Sequence, residues 1–121
     1  MTKVGDTEIG RTGLCTTQAE QAGFELRADT ITSTTRAGYY PGAEEIAVKL
    51  VTEVGSGRLL GAQVVGGPGS GKRIDVLATA VWAGLTADEL AGADLSYAPP
   101  FSPTFDAVAV AARVASGAER G

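Results

Sequence analysis

The tyrosine with the most defined local setting is Tyr97, within the segment DLSYAPPFSPTFD from Asp94 to Asp106. Its phenol hydroxyl can donate or accept a hydrogen bond. Pro99, Pro100 and Pro103 disfavour helical angles in the residues before them, so the chain around Tyr97 is stiff and extended. Because little conformational entropy remains to be lost, we interpret this arm as one that presents a preorganised phenol.

Other reactive side chains are scarce, since the chain has one cysteine, Cys15, and no histidine. A single cysteine cannot form an intrachain disulfide, a CxxC redox pair or a cysteine-based zinc site. Without histidine, the commonest general base and the usual transition-metal ligand are missing. We therefore interpret Cys15 as a small, partly buried side chain and expect neither a metal site nor a complete redox centre.

A glycine-rich segment, GGPGSGKR from Gly66 to Arg73, lies between a predicted strand and a predicted helix. It fits GxxxxGK through Lys72, but Arg73 occupies the position where a phosphate loop needs a hydroxyl for magnesium. The preceding strand also belongs to a predicted hairpin, whereas a phosphate loop normally lies in a parallel βαβ unit. We favour a glycine turn into the helix and keep a phosphate-binding loop as a weaker alternative.

The elements that must position these residues follow the order α, β, β, β, α, α, α. GlySerGly at 55–57 predicts a hairpin between the second and third strands. In the first helix, Thr17 is the predicted N-cap, with Glu20 at the capping-box spacing and Gly23 as the stop. The first strand is rich in threonine, which favours an edge or interface position. The predicted segments are 16–24, 26–36, 45–54, 58–66, 72–84, a short helix from Thr86, and 108–114.

The longest predicted helix has an apolar stripe that should face the sheet. The last helix, with Ser102 as its N-cap, is small and apolar and needs a surface to cover it. These patterns predict an α+β domain with a small antiparallel β-sheet packed against helices. The stripe comprises Ile74, Leu77, Ala78, Val81 and Trp82, with Arg73, Asp75 and Thr79 outside it.

Composition predicts one domain of 121 residues, with a core over 8–115 and a frayed tail over 116–121. The net charge is −4 and the basic residues are scattered, so we expect neither a nucleic-acid nor a membrane partner. The N-terminus lacks an apolar signal core, and no run approaches the roughly 20 apolar residues that cross a bilayer. We therefore expect a cytoplasmic protein.

Five collinear segments, which span nearly the whole chain, carry a resemblance to a known family. The sequence resembles the C-terminal dimerisation domain of FAD-dependent pyridine nucleotide-disulfide oxidoreductases. Within that family it is most similar to the branch of coenzyme A disulfide reductase and NADH oxidase. The segments are RTGL at 11–14, YYPGAEEIAVKL at 39–50, GRLLGAQVVG at 57–66, KRIDVLATAVWAGLTADEL at 72–90 and DLSYAPPFSP at 94–103.

The resemblance implies roles for two tyrosines, Tyr39 and Tyr97. In this branch the matching phenols reach across the dimer to the partner subunit's active-site cysteine and thiol substrate. The glutathione and lipoamide reductase branch has a histidine where this chain has Ser102, which favours the tyrosine branch. The paired C-terminal cysteines of mercuric reductase are also missing. Tyr40 is interpreted as a packing residue.

The resemblance also implies FAD and NAD(P)H as cofactors of a full-length enzyme. The glycine fingerprints of the flavin and nicotinamide domains do not occur here, so we expect this chain to bind neither cofactor and to be inactive alone. Its expected partner is itself, as a homodimer, or the flavin- and nicotinamide-binding domains of a reductase. The C-terminal helix and the tyrosine arm should face the partner subunit. The alternative is a free-standing dimeric interaction module without a redox role.

Overall fold

The fold is built on one antiparallel sheet. A computed structural model describes residues 2–34, 45–67, 70–92 and 107–117. In these ranges the elements are β1 (Thr2–Val4), β2 (Thr7–Gly13), α1 (Thr16–Gln21), β3 (Leu26–Thr34), β4 (Glu45–Glu53), β5 (Leu59–Gly66), α2 (Arg73–Trp82), α3 (Ala87–Ala91) and α4 (Ala107–Ser116). The five strands lie in the order β1-β2-β5-β4-β3, and every pairing is antiparallel.

The core lies on one face of the β4–β5 hairpin. Ile46, Val48 and Leu50 alternate along β4 and are completely buried. The register places Val64 opposite Val48 and Ala62 opposite Leu50, so β5 continues the same apolar face. The covering helices add Leu77 of α2, Leu90 of α3 and Val108 of α4 to this cluster. The predicted α+β class, with helices packed on a small antiparallel sheet, is confirmed.

The predicted hairpin is confirmed at 55–57, where Gly55 and Gly57 adopt positive φ angles of 94° and 72°. A β-bulge follows near the start of β5, because Val51 pairs with Gly61 whereas Thr52 pairs with Leu59. Leu60 therefore has no residue opposite it. At the bulge, the Leu59 side chain packs in the main core cluster and the Leu60 side chain packs in a smaller cluster on the other face. The strand β5 therefore contributes buried side chains to both faces of the sheet.

Two strands of the structure, β1 and β2, are not predicted by the sequence pattern, because β2 (Thr7–Gly13) is mostly polar and contains two glycines. It forms because its backbone pairs with the edge of β5 that β4 does not use. In this pairing Ile9 lies opposite Val65 and Gly10 lies opposite Val64. Gly10 is required there by close packing: a Cβ atom at this position would lie 2.8 Å from the Cβ of Ile74 on α2. Here tertiary pairing, and not local propensity, determines the strand.

The first helix covers part of the opposite face of the sheet. Its N-cap is Cys15 and not Thr17, and the Cys15 N–H donates to Gln18 Oε1 at 3.0 Å. The predicted stop is confirmed, since Gly23 follows the helix with φ of 89°. Ala19 of α1 is buried in the second, smaller cluster, which lies at the Leu26 end of β3. The prediction for Cys15 agrees with its partial burial.

Helix α2 buries a different set of residues from the predicted stripe, whereas one side of α4 is covered, as predicted. Trp82 was placed on the buried stripe of α2, but its side chain is 88% exposed, whereas Arg73 is 9% exposed. The helix thus turns Leu77 to the sheet and Trp82 away from it. On α4, Ala107, Val108, Ala111, Ala112 and Ala115 are buried within the chain's own fold, so this side of the helix does not face a partner subunit.

The remaining predictions concern the ends of segments. The threonine-rich strand β3 lies at the edge of the described sheet, as predicted, and pairs only with β4. The predicted extension to Arg36, the predicted cap Ser102 and the end of the predicted frayed tail at 118–121 lie outside the described residues.

We expect Gly10→Ala to lower the free energy of unfolding by about 1–3 kcal/mol, because an added methyl group forces a packed neighbour to move. Urea unfolding followed by circular dichroism measures this change. The matched control is Gly92→Ala, whose Cβ would come no nearer than 3.6 Å to Glu89 O; it should change the stability by less than about 0.5 kcal/mol. Equal losses in both variants would contradict a specific role for the contact with α2.

Candidate functional site

The two tyrosines with predicted roles lie outside the described residues: Tyr39 in the segment 35–44 and Tyr97 in the segment 93–106. Their roles therefore stay predictions. What the structure describes is the framework to which both segments are attached, namely the last residue of β3, the first of β4, the end of α3 and the start of α4. The geometry of these four attachment points limits where the tyrosines can lie.

The attachment of the Tyr39 segment is closely defined. β3 and β4 pair over nine residues each, and the last pair joins Thr34 to Glu45, so both ends of the segment lie side by side. The Gly67 N–H donates to the Glu45 carbonyl oxygen at 3.3 Å. We call this edge the Thr34–Glu45 end of the sheet. The glycine loop that precedes α2 starts at the same end.

The attachment of the Tyr97 segment depends on how α4 is held. The Arg27 guanidinium on β3 donates to Asp29 Oδ2 at 2.9 Å and to the Val114 carbonyl oxygen at 3.1 Å. This double contact holds the last turn of α4 beside the first residues of β3. On the other side of the segment, α3 is capped by Thr86, whose Oγ accepts from the Glu89 N–H at 3.1 Å. Both helices that bound the segment are thus fixed within the fold.

The glycine loop before α2 already contains a negatively charged group from the same chain. The Gly71 N–H donates to Glu8 Oε1 at 2.9 Å, which places a carboxylate of β2 beside the start of α2. Lys72, which a phosphate loop would use, is exposed and does not cap the helix through its side chain. The structural interpretation of this loop as a turn into the helix is therefore favoured over phosphate binding.

Close packing explains why the loop contains glycine and serine. Ser70 is completely buried, and its hydroxyl has no hydrogen-bond partner among the described residues. A Cβ atom on Gly66 would collide with Ser70 Oγ and would lie 2.9 Å from the Ile46 Cα atom. Only glycine at position 66 lets the loop approach the sheet this closely. Close packing against the sheet therefore explains the glycine at position 66 without a bound phosphate.

Two apolar patches remain uncovered on the described surface. On the sheet face opposite the core, Ile9 and Val65 are cross-strand neighbours and are 39% and 44% exposed. On the outer side of α2, Val76 is 36% exposed and Trp82 is 88% exposed. The patches lie on opposite sides of the sheet, since α2 packs on the core face. Sequence periodicity had placed Trp82 in the core, so the α2 patch became visible only in the structure.

Two further classes of site find no support in the described parts of the chain. In these ranges, no three histidine, cysteine, aspartate or glutamate side chains come together as metal ligands would. Likewise, within the same ranges no helix has the length and apolar character needed to cross a membrane.

The fold and the sequence segments together define the class. The chain matches the family "Pyridine nucleotide-disulphide oxidoreductase, dimerisation domain" over residues 1–109, and it belongs to this family. It is 45% identical over 114 residues to the NAD(P)H coenzyme A polysulfide/persulfide reductase of Pyrococcus horikoshii, covering 94% of this chain and 25% of that protein. It is 40% identical over 85 residues to the coenzyme A disulfide reductase of Staphylococcus haemolyticus, and the match covers 70% of this chain and 19% of that protein.

Solved structures support the same conclusion. The chain superimposes on an NAD-dependent persulfide reductase from A. fulgidus with a TM-score of 0.89 and 45% identity, covering 98% of this chain and 22% of that one. Reduced CoADR-RHD from Bacillus anthracis gives a TM-score of 0.91 at 37% identity, and the match covers 95% of this chain and 21% of that chain. The predicted family is confirmed. The chain spans about a quarter of the length of the first curated relatives.

We expect Glu8→Ala to lower the free energy of unfolding by about 1–2 kcal/mol, because the Gly71 N–H loses a charged acceptor. Glu8→Gln keeps an acceptor oxygen and should lose less than half as much. Urea unfolding gives the free energies, and hydrogen exchange of the Gly71 amide reports the local contact, which should exchange fastest in the alanine variant. An identical exchange rate in all three proteins would contradict the role of Glu8 in holding the loop.

Proposed function

We propose that this chain is the homodimerisation domain of a flavin-dependent NAD(P)H:disulfide oxidoreductase, and that Tyr39 and Tyr97 act at the active site of the partner subunit. The observation that carries this proposal is the family match over residues 1–109. The relatives include a coenzyme A disulfide reductase and a coenzyme A polysulfide/persulfide reductase. We therefore propose that the substrates are molecules in which the sulfur of coenzyme A is bonded to another sulfur atom.

The placement of the attachment points supports a joint role for the two tyrosines. The contact between Arg27 and Val114 holds the end of α4 at the start of β3. The ten residues of α4 span about 15 Å and pack along β3 and β4. Ala107, where the Tyr97 segment ends, therefore lies toward the Thr34–Glu45 end of the sheet. The Tyr39 segment leaves from this same end, so one boundary of each tyrosine-bearing segment lies toward the same edge of the domain, which supports the proposal.

The proposed chemistry of these phenols is hydrogen-bond donation to a thiolate. When an active-site thiolate attacks a disulfide, the other sulfur leaves with the electron pair of the S–S bond and becomes negatively charged. An ordinary phenol has a pKa of about 10 and an ordinary thiol about 8.5, so complete proton transfer to the leaving thiolate costs about 2 kcal/mol. A fixed phenol thus stabilises the developing charge mainly as a donor. With Cys15 as its single cysteine, the chain itself cannot supply a redox-active cysteine pair.

The proposal predicts the behaviour of a chimeric enzyme in which this chain replaces the last quarter of the Pyrococcus horikoshii reductase. Tyr97→Phe and Tyr39→Phe should each lower the rate of NADH-dependent coenzyme A disulfide reduction about 10- to 100-fold, because each removes one donor to the leaving sulfur. The release of free thiol measures the rate. Flavin content and dimer mass should stay unchanged.

The neighbouring phenol supplies the matched control, since Tyr40→Phe should change the rate less than about twofold if Tyr40 only packs. Mixed dimers test the action in trans: a subunit without Tyr39 and Tyr97 paired with a subunit whose active-site cysteine is replaced should retain one working site. Full activity in both single tyrosine variants would contradict the catalytic part of the proposal. A chain that dimerises but does not support any chimeric activity would favour the free-standing interaction module.

A further inference from the structure

The buried side of α4 consists almost entirely of alanine. Methyl groups present a smooth surface, without the large side chains that interlock as ridges and grooves between packed elements. Burial therefore holds α4 against the sheet, but it resists a shift along the helix axis only weakly. The buried residues of this helix are Ala107, Val108, Ala111, Ala112 and Ala115.

A directional contact at one end of α4 supplies the missing constraint. The Arg27 guanidinium donates to both carboxylate oxygens of Asp29, to Oδ2 at 2.9 Å and to Oδ1 at 3.3 Å. It also donates to the Val114 carbonyl oxygen at 3.1 Å. Because the guanidinium is planar and its N–H groups point in fixed directions, the carboxylate determines where the carbonyl group is held. We call these three residues the Arg27 clamp.

The end of the helix favours this contact. Val114 lies in the last turn of α4, whose carbonyl groups form the negative end of the helix dipole, so a cation is stabilised there. The same carbonyl oxygen accepts from the Gly117 N–H at 3.1 Å. On the strand side, Arg27 pairs with Thr52 of β4, so its backbone is part of the sheet. The Arg27 clamp thus ties the end of α4 to the sheet at one defined point.

We propose that the Arg27 clamp sets the axial position of α4, and that Arg27 is thereby a positioning residue for Tyr97. This inference rests on the proposed function, which assigns Tyr97 to the partner subunit's active site. Helix α4 starts at Ala107, directly after the segment 93–106, so an axial shift of the helix moves the point at which that segment joins the fold. A shift by one residue amounts to about 1.5 Å. A misplacement of about 1 Å lowers a rate by up to about 100-fold.

The isolated chain tests the first step of this inference. Arg27→Ala should shift the NMR signals of the Ala107 and Val108 amides, at the far end of α4, because a helix that slides moves as a unit. Arg27→Lys keeps the charge but not the fork of N–H groups, and should shift the same signals by a smaller amount. Since the Arg27 side chain is 34% exposed, the thermal midpoint of either variant should fall by no more than about 5 °C.

The matched control is Arg58→Ala, at an exposed arginine directly before β5. This variant should leave the signals of Ala107 and Val108 in place. Unchanged signals in both Arg27 variants would overturn the inference.

The chimeric enzyme tests the second step. Arg27→Ala should lower kcat for coenzyme A disulfide reduction about 5- to 50-fold, while NADH reduces the flavin at an unchanged rate. Added to Tyr97→Phe, it should lower the rate less than about twofold further, because a phenol hydroxyl that is absent cannot be misplaced. Added to Tyr40→Phe, it should keep its full effect. A merely structural role of Arg27 would give the same additional loss in both backgrounds.

The outcomes separate this inference from the proposed function. Full activity of the Arg27→Ala enzyme, or losses that multiply in its combination with Tyr97→Phe, would overturn the inference and leave the proposed function intact. Full activity of the Tyr97→Phe enzyme would contradict the proposed role of Tyr97, and the inference with it.

Discussion

Burial of the aliphatic face of the β4–β5 hairpin is the interaction on which the other elements depend. The residues that alternate inward on β4 have no exposed surface, and the facing residues of β5 extend the same layer. Removal of this area from water is the main source of stabilisation available to a domain of this size. Each helix on this face is held because it covers part of that layer: α2 above β2 and β5, and α4 above β3 and β4.

This layer dictates which surfaces remain for other molecules. Since α2, α3 and α4 all pack on one face, the described residues cover the opposite face of the sheet only near α1 and leave the outer side of α2 exposed. Two separate groups of exposed apolar residues, one on each side of the sheet, are therefore left on the described surface.

The Thr34–Glu45 end of the sheet brings together features that are distant in sequence. The Tyr39 segment begins and ends there, the glycine loop starts there, and Glu8 of β2 bonds to Gly71 at the start of α2. The internal carboxylate and the buried Ser70 show that this loop is shaped by packing against the sheet. This end of the sheet is thus the part of the described framework to which the Tyr39 segment is attached.

The sequence alone determined the features that depend on local order. The hairpin at 55–57 follows from glycine in positive φ, the edge position of β3 from its threonines, and the family from five motifs in the right order. Only the tertiary structure decided features that depend on which neighbour is present. The segment β2 is a strand because it pairs with β5. Cys15 is the N-cap of α1 because the Gln18 side chain accepts a hydrogen bond from its N–H. Trp82 is exposed because α2 packs on the sheet through Leu77 and Ala80. An apolar residue has the same character in a core and at an interface, so periodicity cannot distinguish the two, whereas the packed structure does.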